Sequence, residues 1–163
     1  VLLGLSNPTY DLIALYRHAH HLLKNYWQAG VTISFPRIKP QMGDFKALYP
    51  VDEKMLAQAI FAMRICLPNV PLLLSTRESE NIRDGLAGLG ISKMSVASKT
   101  TVGGYSKSVK DSTEQFSISD ERSVSEFCNI LRLKGFEPVF KNYDAIYREP
   151  AVYKSSNGSL CKN

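Results

Sequence analysis

The chain has 163 residues, 44% of them apolar, and carries a formal net charge of +5. This length fits one ordinary domain, and the apolar fraction can supply a hydrophobic core. The lysines and arginines are scattered, and no apolar run is longer than a strand. The composition therefore gives no support for nucleic-acid binding, for a membrane span or for a signal peptide.

The three cysteines, Cys66, Cys128 and Cys161, are far apart and odd in number. Such spacing is not typical of a disulfide framework or of a metal site, and it favours a reducing compartment. We therefore expect a cytoplasmic protein with no metal ligands in this chain. Because the sequence opens on a strand-like segment without a methionine, we also expect it to be part of a longer protein.

The chain opens with a predicted strand and a predicted helix. Val1–Leu5 is a short apolar run typical of a buried strand, and Asn7 followed by Pro8 predicts a capped helix start. The helix has an apolar stripe of 3.6-residue period, formed by Leu12, Leu15, Tyr16, Ala19, Leu22, Leu23 and Tyr26. It also carries His18, His20 and His21. These histidines lack the i, i+4 spacing of a metal-binding pair, so a solvated helix face explains them better.

A second strand and helix follow. Val31–Phe35 is strand-like, and Arg37 and Lys39 come directly after it. The loop through residues 41–45 is long for a strand–helix connection, and such loops tend to carry function. Asp52 predicts the N-cap of the next helix. The apolar stripe of that helix consists of Met55, Leu56, Ala59, Ile60, Met63 and Leu67.

The third unit places polar residues directly after a buried strand. Pro71–Leu74 is the strand, and Ser75–Glu78 follow it. Since ligands of parallel α/β sheets bind at the carboxyl ends of the strands, Arg77 is a candidate to hold a carboxylate or phosphate. Two structural alternatives fit the same residues. One is an Arg77–Glu78 surface ion pair, and the other is a capping box formed by Ser75 and Glu78.

The fourth unit ends in a loop rich in hydroxyl groups and glycine. A short helix is predicted to end at Gly90, and Ile91–Ala97 is the fourth strand, with Ser95 inside it. Two glycines in the loop SKTTVGGY are too few to define a phosphate-binding loop. The weaker candidates in this loop are Ser98, Lys99 and Thr100, with Tyr105 as a lid anchor or a packing residue.

The end of the chain contains one more helix and a tail. Ser123 and Glu126 have the spacing of a capping box, and the helix that they open is predicted to stop at Gly135. Residues 145–163 are polar and terminal, and we expect them to form a loose tail.

The order of these elements predicts the fold class. Four strand–helix units alternate strictly, which indicates an α/β protein with a parallel sheet and right-handed crossovers. Four units are half of a (β/α)8 barrel of the TIM type. A half-barrel leaves edge strands unpaired, so we expect a missing barrel half or another partner to complete it.

Six segments of the chain are distinctive: VLLGLSNPTYD, ISFPRIKP, LLLSTRESENIRDGL, MSVASKTTVGGY, EQFSISDERS and LKGFEPVFKNYD. Together and in this order they resemble the C-terminal half of the radical S-adenosylmethionine tyrosine lyase family, in particular the 2-iminoacetate synthases of thiamine synthesis. The resemblance covers Val1 to about Asp144 and implies that residues 1–144 form the C-terminal half of a radical S-adenosylmethionine barrel. The missing N-terminal half is then the first expected partner, and thiazole synthase is a second.

The resemblance implies an enzyme that cleaves the Cα–Cβ bond of tyrosine to p-cresol and dehydroglycine (2-iminoacetate). In this family a [4Fe–4S] cluster, held by a CxxxCxxC motif, cleaves S-adenosylmethionine to a 5′-deoxyadenosyl radical that starts the reaction. This sequence contains no CxxxCxxC motif. We therefore expect the chain to hold no cluster, to contribute no catalytic residue and to be inactive alone.

The resemblance also implies roles for individual residues. Arg77 matches the arginine that holds the substrate carboxylate, and Ser95 its neighbour on the next strand, although a core hydroxyl bonded to backbone also explains Ser95. Arg37 is expected either to contact a substrate or cofactor carboxylate or to brace the barrel rim. Leu2 and Gly4 match the GxIxG pattern along which the adenine of S-adenosylmethionine packs.

Two other functions are open at this point. The same cleavage of tyrosine can serve hydrogenase cofactor assembly. Analysis of the products separates this function from thiamine synthesis, because the tyrosine lyase of hydrogenase maturation goes on to release carbon monoxide and cyanide. Alternatively, the chain is a standalone, non-catalytic scaffold or binding module without the cluster half. Cooperative folding of a monodisperse protein would support this third interpretation.

Overall fold

The computed structural model describes residues 1–26, 28–39, 45–99 and 118–140. Their elements are, in order, α1 (Pro8–Asn25), β1 (Ile33–Ser34), α2 (Glu53–Cys66), β2 (Leu72–Leu74), α3 (Glu80–Leu86), β3 (Lys93–Met94) and α4 (Val124–Leu133). The loop at 41–44, the glycine-rich loop from Thr100 to Tyr105, the tail and Cys161 lie outside the described residues. None of the described helices is both long and apolar enough to cross a membrane.

The three strands form a parallel sheet in the order β1–β2–β3. Ile33 of β1 lies opposite Leu72, and Leu73 lies opposite Lys93 of β3. The strands alternate with helices along the chain, as the sequence predicts, and this confirms the α/β class and the parallel sheet.

The predicted first strand is reduced to one bridge, in which Leu3 pairs with Arg37. The Leu3 amide donates to the Pro36 carbonyl at 2.8 Å, and the Ile38 amide donates to the Leu3 carbonyl at 2.9 Å. Gly4 follows with a φ of +113°, which turns the chain out of the extended conformation. The segment therefore continues the parallel arrangement beside β1 but is shorter than predicted.

The hydrophobic core lies between the sheet and the helices. Leu72 and Leu74 of β2 are at most 1% exposed, and they pack in one cluster with Leu56 and Ile60 of α2, which are fully buried. Side chains alternate across a strand, so Leu73 points to the other face of the sheet. Each fully buried leucine or isoleucine stabilises the fold by roughly 1.5–3 kcal/mol.

Two of the predicted helix starts are confirmed by their caps. The Asn7 side chain accepts from the Thr9 amide at 3.0 Å, and the Asp52 carboxylate accepts from the Met55 amide at 2.7 Å. The capping box at the start of α4 is also complete, because each of its two side chains accepts a backbone N–H of the other residue. These contacts place α1, α2 and α4 where the sequence predicts them.

The capping-box interpretation of Ser75 and Glu78 is wrong. Helix α3 begins at Glu80 after Ser79 as N-cap, one turn later than that box requires. The Arg77–Glu78 surface pair is wrong as well, because Glu78 is 1% exposed and its carboxylate bonds to residues that follow β1. The Glu78 carboxylate is engaged by Arg37 and Lys39 instead.

Candidate functional site

The predicted site residues all lie at the end of the sheet where the carboxyl ends of its strands meet. Arg37, Arg77 and Ser95 follow β1, β2 and β3, whose carboxyl ends point the same way because the strands are parallel. Leu2 and Gly4 flank the residue that bridges to Arg37, so they lie beside the end of β1. The fold therefore brings together the strand ends that the sequence singled out.

Arg37 is buried in an ion pair with Glu78. Its Nε donates to the two carboxylate oxygens at 2.9 and 3.1 Å, and its Nη2 donates to Oε2 at 2.5 Å. Its Nη1 donates to the Val51 carbonyl at 2.8 Å. These contacts join the segment after β1 to the segment after β2, as a brace would, and the alternative contact of Arg37 with a substrate or cofactor carboxylate stays a prediction.

Lys39 adds a second cation to the same carboxylate. Its Nζ lies 3.2 Å from Glu78 Oε2 and also donates to the carbonyl oxygen of Arg77. Burial raises the pKa of Glu78, but the hydrogen bonds and charges of Arg37 and Lys39 outweigh it, so that the pKa lies below the ordinary value. The hydrogen bond to Glu78 likewise raises the pKa of Arg37 against the effect of burial. Both groups are charged at neutral pH.

The lowered pKa of Glu78 predicts a loss of stability in acid. The ionised carboxylate is favoured in the folded state, so its contribution is fully present above the unfolded pKa of about 4.5 and is lost as the pH falls through the lower folded pKa. We expect the free energy of unfolding, measured by urea denaturation from about pH 7 to about pH 3, to fall in this range. Glu78→Gln should show a shallower fall, and an unchanged slope in this variant would contradict the prediction.

The turn that carries Arg77 is held at three consecutive residues. The carbonyl of Thr76 accepts from the amides of Ser119 and Asp120 at 3.0 and 3.1 Å. The carbonyl of Arg77 accepts from Nζ of Lys39. The next residue is Glu78, whose buried carboxylate binds Arg37. The Arg77 side chain itself is half-buried. Its backbone is therefore fixed at the edge where the resemblance expects a substrate carboxylate.

A second buried cluster, which the sequence did not predict, lies at the end of β3. Arg83 and Asp120 form an ion pair with side chains at most 1% exposed, and Arg83 Nη2 donates to the carbonyl of Ser95. Arg122 donates to Asp120 at 2.7 and 2.9 Å and to Asp84 at 2.9 and 3.0 Å. The charged segment SDER after the glycine-rich loop is the feature of the sequence that could have indicated this cluster. Arg83, the partner of Asp120 in that segment, is in a separate helix.

The charges of this cluster are compensated mainly by its own members, and Nε of Arg83 is buried without a hydrogen-bond partner among the described residues. Burial lowers the pKa of Arg83, and the attraction of Asp120 opposes this shift only in part. Burial raises the pKa of Asp120, but the bonds from Arg122 and the charge of Arg83 make the net change a lowering. The ring of Phe127 lies 4.6 Å from Cζ of Arg83 and 5.2 Å from Cζ of Arg122, within cation–π range of both.

The described residues do not fit an iron–sulfur cluster. Such clusters are held by several cysteine thiolates. Cys66 is exposed on α2 and Cys128 is buried on α4, and the described ranges contain no group of three or more His, Cys, Asp or Glu side chains that could hold a metal ion. His18, His20 and His21 are exposed, in agreement with a solvated helix face.

The local structure by itself explains why residue 4 is a glycine. A Cβ at this position would lie 3.4 Å from the Cβ atoms of Ile38 and Ala47, and the φ of +113° is strained for any other residue. Leu2 is 38% exposed. The contact of these two residues with an adenine stays a prediction.

A cavity of about 630 Å³ lies beside β3. Leu73 and Met94 line it from the sheet, and Phe127 and Leu131 line it from α4. In the part of the chain that is described, no strand pairs with the outer edge of β3. The sheet thus ends next to an apolar space.

Comparison with known proteins gives consistent matches. Residues 34–137 match the family described as the Biotin and Thiamin Synthesis associated domain. Over 145 residues the chain is 39% identical to the 2-iminoacetate synthase of Salmonella typhimurium and 38% identical to that of Escherichia coli. Each alignment covers 88% of this chain and 38% of the relative, so the chain spans little more than a third of these proteins.

Two solved structures are similar as well. The crystal structure of HydG, a maturase of the [FeFe]-hydrogenase, matches with a TM-score of 0.79 and 32% identity over 91% of this chain and 32% of that chain. The HydG structure from Carboxydothermus hydrogenoformans matches with a TM-score of 0.76 and 36% identity over 91% of this chain and 33% of that one.

Proposed function

Because the chain belongs to the Biotin and Thiamin Synthesis associated domain family, we propose that it is the tyrosine-binding part of a cytoplasmic radical S-adenosylmethionine lyase. That enzyme cleaves tyrosine to p-cresol and dehydroglycine, and thiazole synthase uses the dehydroglycine for thiamine. The observation that carries the proposal is the 39% identity to a 2-iminoacetate synthase across 88% of the chain.

The same proposal assigns the chain to the C-terminal half of a barrel. The parallel sheet, with strand ends gathered at one edge, supports this arrangement. The outer edge of β3 supports it too, because within the described residues no strand pairs with that edge, and a strand from the other half could do so beside Met94. The iron–sulfur cluster and its thiolates then belong to that other half. The domain boundary near residue 144 stays a prediction, since residues 141–163 lie outside the described part.

Arg77 is the residue proposed to hold the tyrosine carboxylate. Lys39 and Arg37 lie at the same end of the sheet, where both contact the carboxylate of Glu78 and Nη2 of Arg37 also lies 3.9 Å from a carboxylate oxygen of Glu53. A guanidinium can bind a carboxylate through two parallel hydrogen bonds, and this fixes the amino acid for reaction at its amine. Ser95 is proposed to complete the contact from the next strand.

Replacing Arg77 by alanine tests the proposal. The variant is made in the polypeptide encoded by the whole reading frame that contains this chain. Loss of a charge-assisted hydrogen bond costs about 1.5–3 kcal/mol, so the KM for tyrosine should rise roughly 10- to 100-fold. Iron content and S-adenosylmethionine binding should not change.

Arg132→Ala is the matched control, because Arg132 is exposed on α4 and its described bond is to Asn129 in the same helix. It should leave the KM for tyrosine unchanged. Normal tyrosine turnover by Arg77→Ala would contradict the assignment of Arg77.

A lyase of hydrogenase maturation is the second candidate. The similarity to the two HydG structures, with TM-scores of 0.79 and 0.76, favours it. The two functions share the cleavage of tyrosine and differ in the fate of dehydroglycine. Detection of carbon monoxide and cyanide among the products would favour this second function, and dehydroglycine as the end product would favour the first.

A further inference from the structure

One continuous series of hydrogen bonds joins the ends of the two strands that carry the proposed substrate residues. The amide of Asp120 donates to the carbonyl of Thr76 at 3.1 Å, directly before Arg77. The carboxylate of Asp120 accepts from Nη1 of Arg83, and Nη2 of Arg83 donates to the carbonyl of Ser95. The series therefore starts beside one proposed ligand of the substrate carboxylate and ends on the other.

The middle of this series has little freedom to move. Arg83 is fully buried and Asp120 is 1% exposed. Arg122 donates to both oxygens of Asp120 and holds Asp84 on α3 through two further bonds of 2.9 and 3.0 Å. A carboxylate with bonds on both oxygens cannot rotate without breaking several of them at once.

The sheet alone does not fix the distance between the two strand ends. The last backbone hydrogen bond described between these two strand ends runs from the amide of Ser95, the residue after β3, to the carbonyl of Leu74 at the end of β2, at 3.1 Å. Arg77 lies three residues beyond Leu74, in the turn that leaves the sheet. The Asp120–Arg83 pair ties this turn across to Ser95.

We propose that Asp120 and Arg83 are positioning residues, which set the placement of Arg77 relative to Ser95 without touching the substrate. This inference rests on the proposed role of Arg77. Binding groups must be held within about 0.5 Å of the productive geometry, and buried supporting bonds provide that restraint. The pair then affects recognition of the substrate carboxylate and not recognition of the phenol ring.

The test compares two ligands in the full polypeptide: tyrosine, and tyramine, which has the same ring and amine but no carboxylate. Dissociation constants are measured by calorimetry for the wild type, Asp120→Asn, Arg77→Ala and the double variant. Asp120→Asn should weaken tyrosine binding on the order of tenfold and leave tyramine binding unchanged. Because Asp120 acts through Arg77, the double variant should bind tyrosine no more weakly than Arg77→Ala alone.

A second variant covers the case in which Asp120→Asn does not fold. Arg83→Lys keeps the positive charge beside Asp120 but lacks the fork that reaches both Asp120 and Ser95. It should show the same selective loss of tyrosine binding. Glu126→Gln is the control, because it weakens the capping box of the neighbouring helix without contacting the series.

The outcomes separate the inference from the proposed function. If wild-type protein binds tyrosine no more tightly than tyramine, the carboxylate site itself is wrong, and the positioning role fails with it. If the wild type discriminates and both variants keep that discrimination, only the positioning role is wrong. Equal losses for the two ligands would show a general effect on folding, and additive losses in the double variant would show that Asp120 acts independently of Arg77; either result would also overturn it.

Discussion

Glu78→Gln is expected to lower the free energy of unfolding of this protein by about 3–5 kcal/mol, which is the usual cost of removing one partner from a buried ion pair. Arg37 and Glu78 are 7% and 1% exposed, so water cannot replace the lost carboxylate. The three hydrogen bonds between them include one of 2.5 Å, and the amide of glutamine can accept from Arg37 without supplying a charge. Urea denaturation at neutral pH measures the change.

Glu80→Gln is the matched control for this experiment. Its side chain is 53% exposed and lies 3.8 Å from Arg122, so solvent already screens the pair. Exposed ion pairs contribute about 0–1 kcal/mol, and the control should lose no more than that. Similar losses in the two variants would mean that burial of the Arg37–Glu78 pair does not decide its energy.

Phe127→Ala is expected to cost about 3–5 kcal/mol of unfolding free energy. The residue is 3% exposed, and its ring contacts the guanidinium groups of Arg83 and Arg122. It also lines the cavity beside β3, so its removal enlarges an existing space. Because neighbouring side chains can fill such a space only in part, the loss includes both transfer of the ring to water and the larger cavity. Thermal and urea denaturation measure it.

Two further variants separate packing from the contact between ring and cation. Phe127→Leu keeps most of the apolar volume but removes the aromatic face, and we expect a loss of about 1–2 kcal/mol. Phe61→Ala, at a phenylalanine of α2 that is 42% exposed, should cost about 1 kcal/mol. If leucine and alanine at position 127 were equally destabilising, the interaction with the two arginines and not packing would dominate.

Local features of the fold were predictable from the sequence. The starts of α1, α2 and α4 depend on side chains that cap amides two or three residues away, as at Asn7, Asp52 and Ser123. The alternation of strands and helices likewise predicted the parallel sheet, and hence the common edge that carries Arg37 and Arg77. Such features are visible in the sequence because their determinants are close together in it.

The partners of the buried charges were decided by the tertiary structure alone. Glu78 has the right spacing for a cap with Ser75, yet it binds Arg37, which is 41 residues away. Arg83 and Asp120 are separated by 37 residues and meet only because α3 and the segment before α4 pack at the end of β3. Several cations in the sequence could satisfy each carboxylate equally well. The choice among them depends on which cation the packed sheet brings next to each buried carboxylate. The distance between cation and carboxylate is a property of the folded chain.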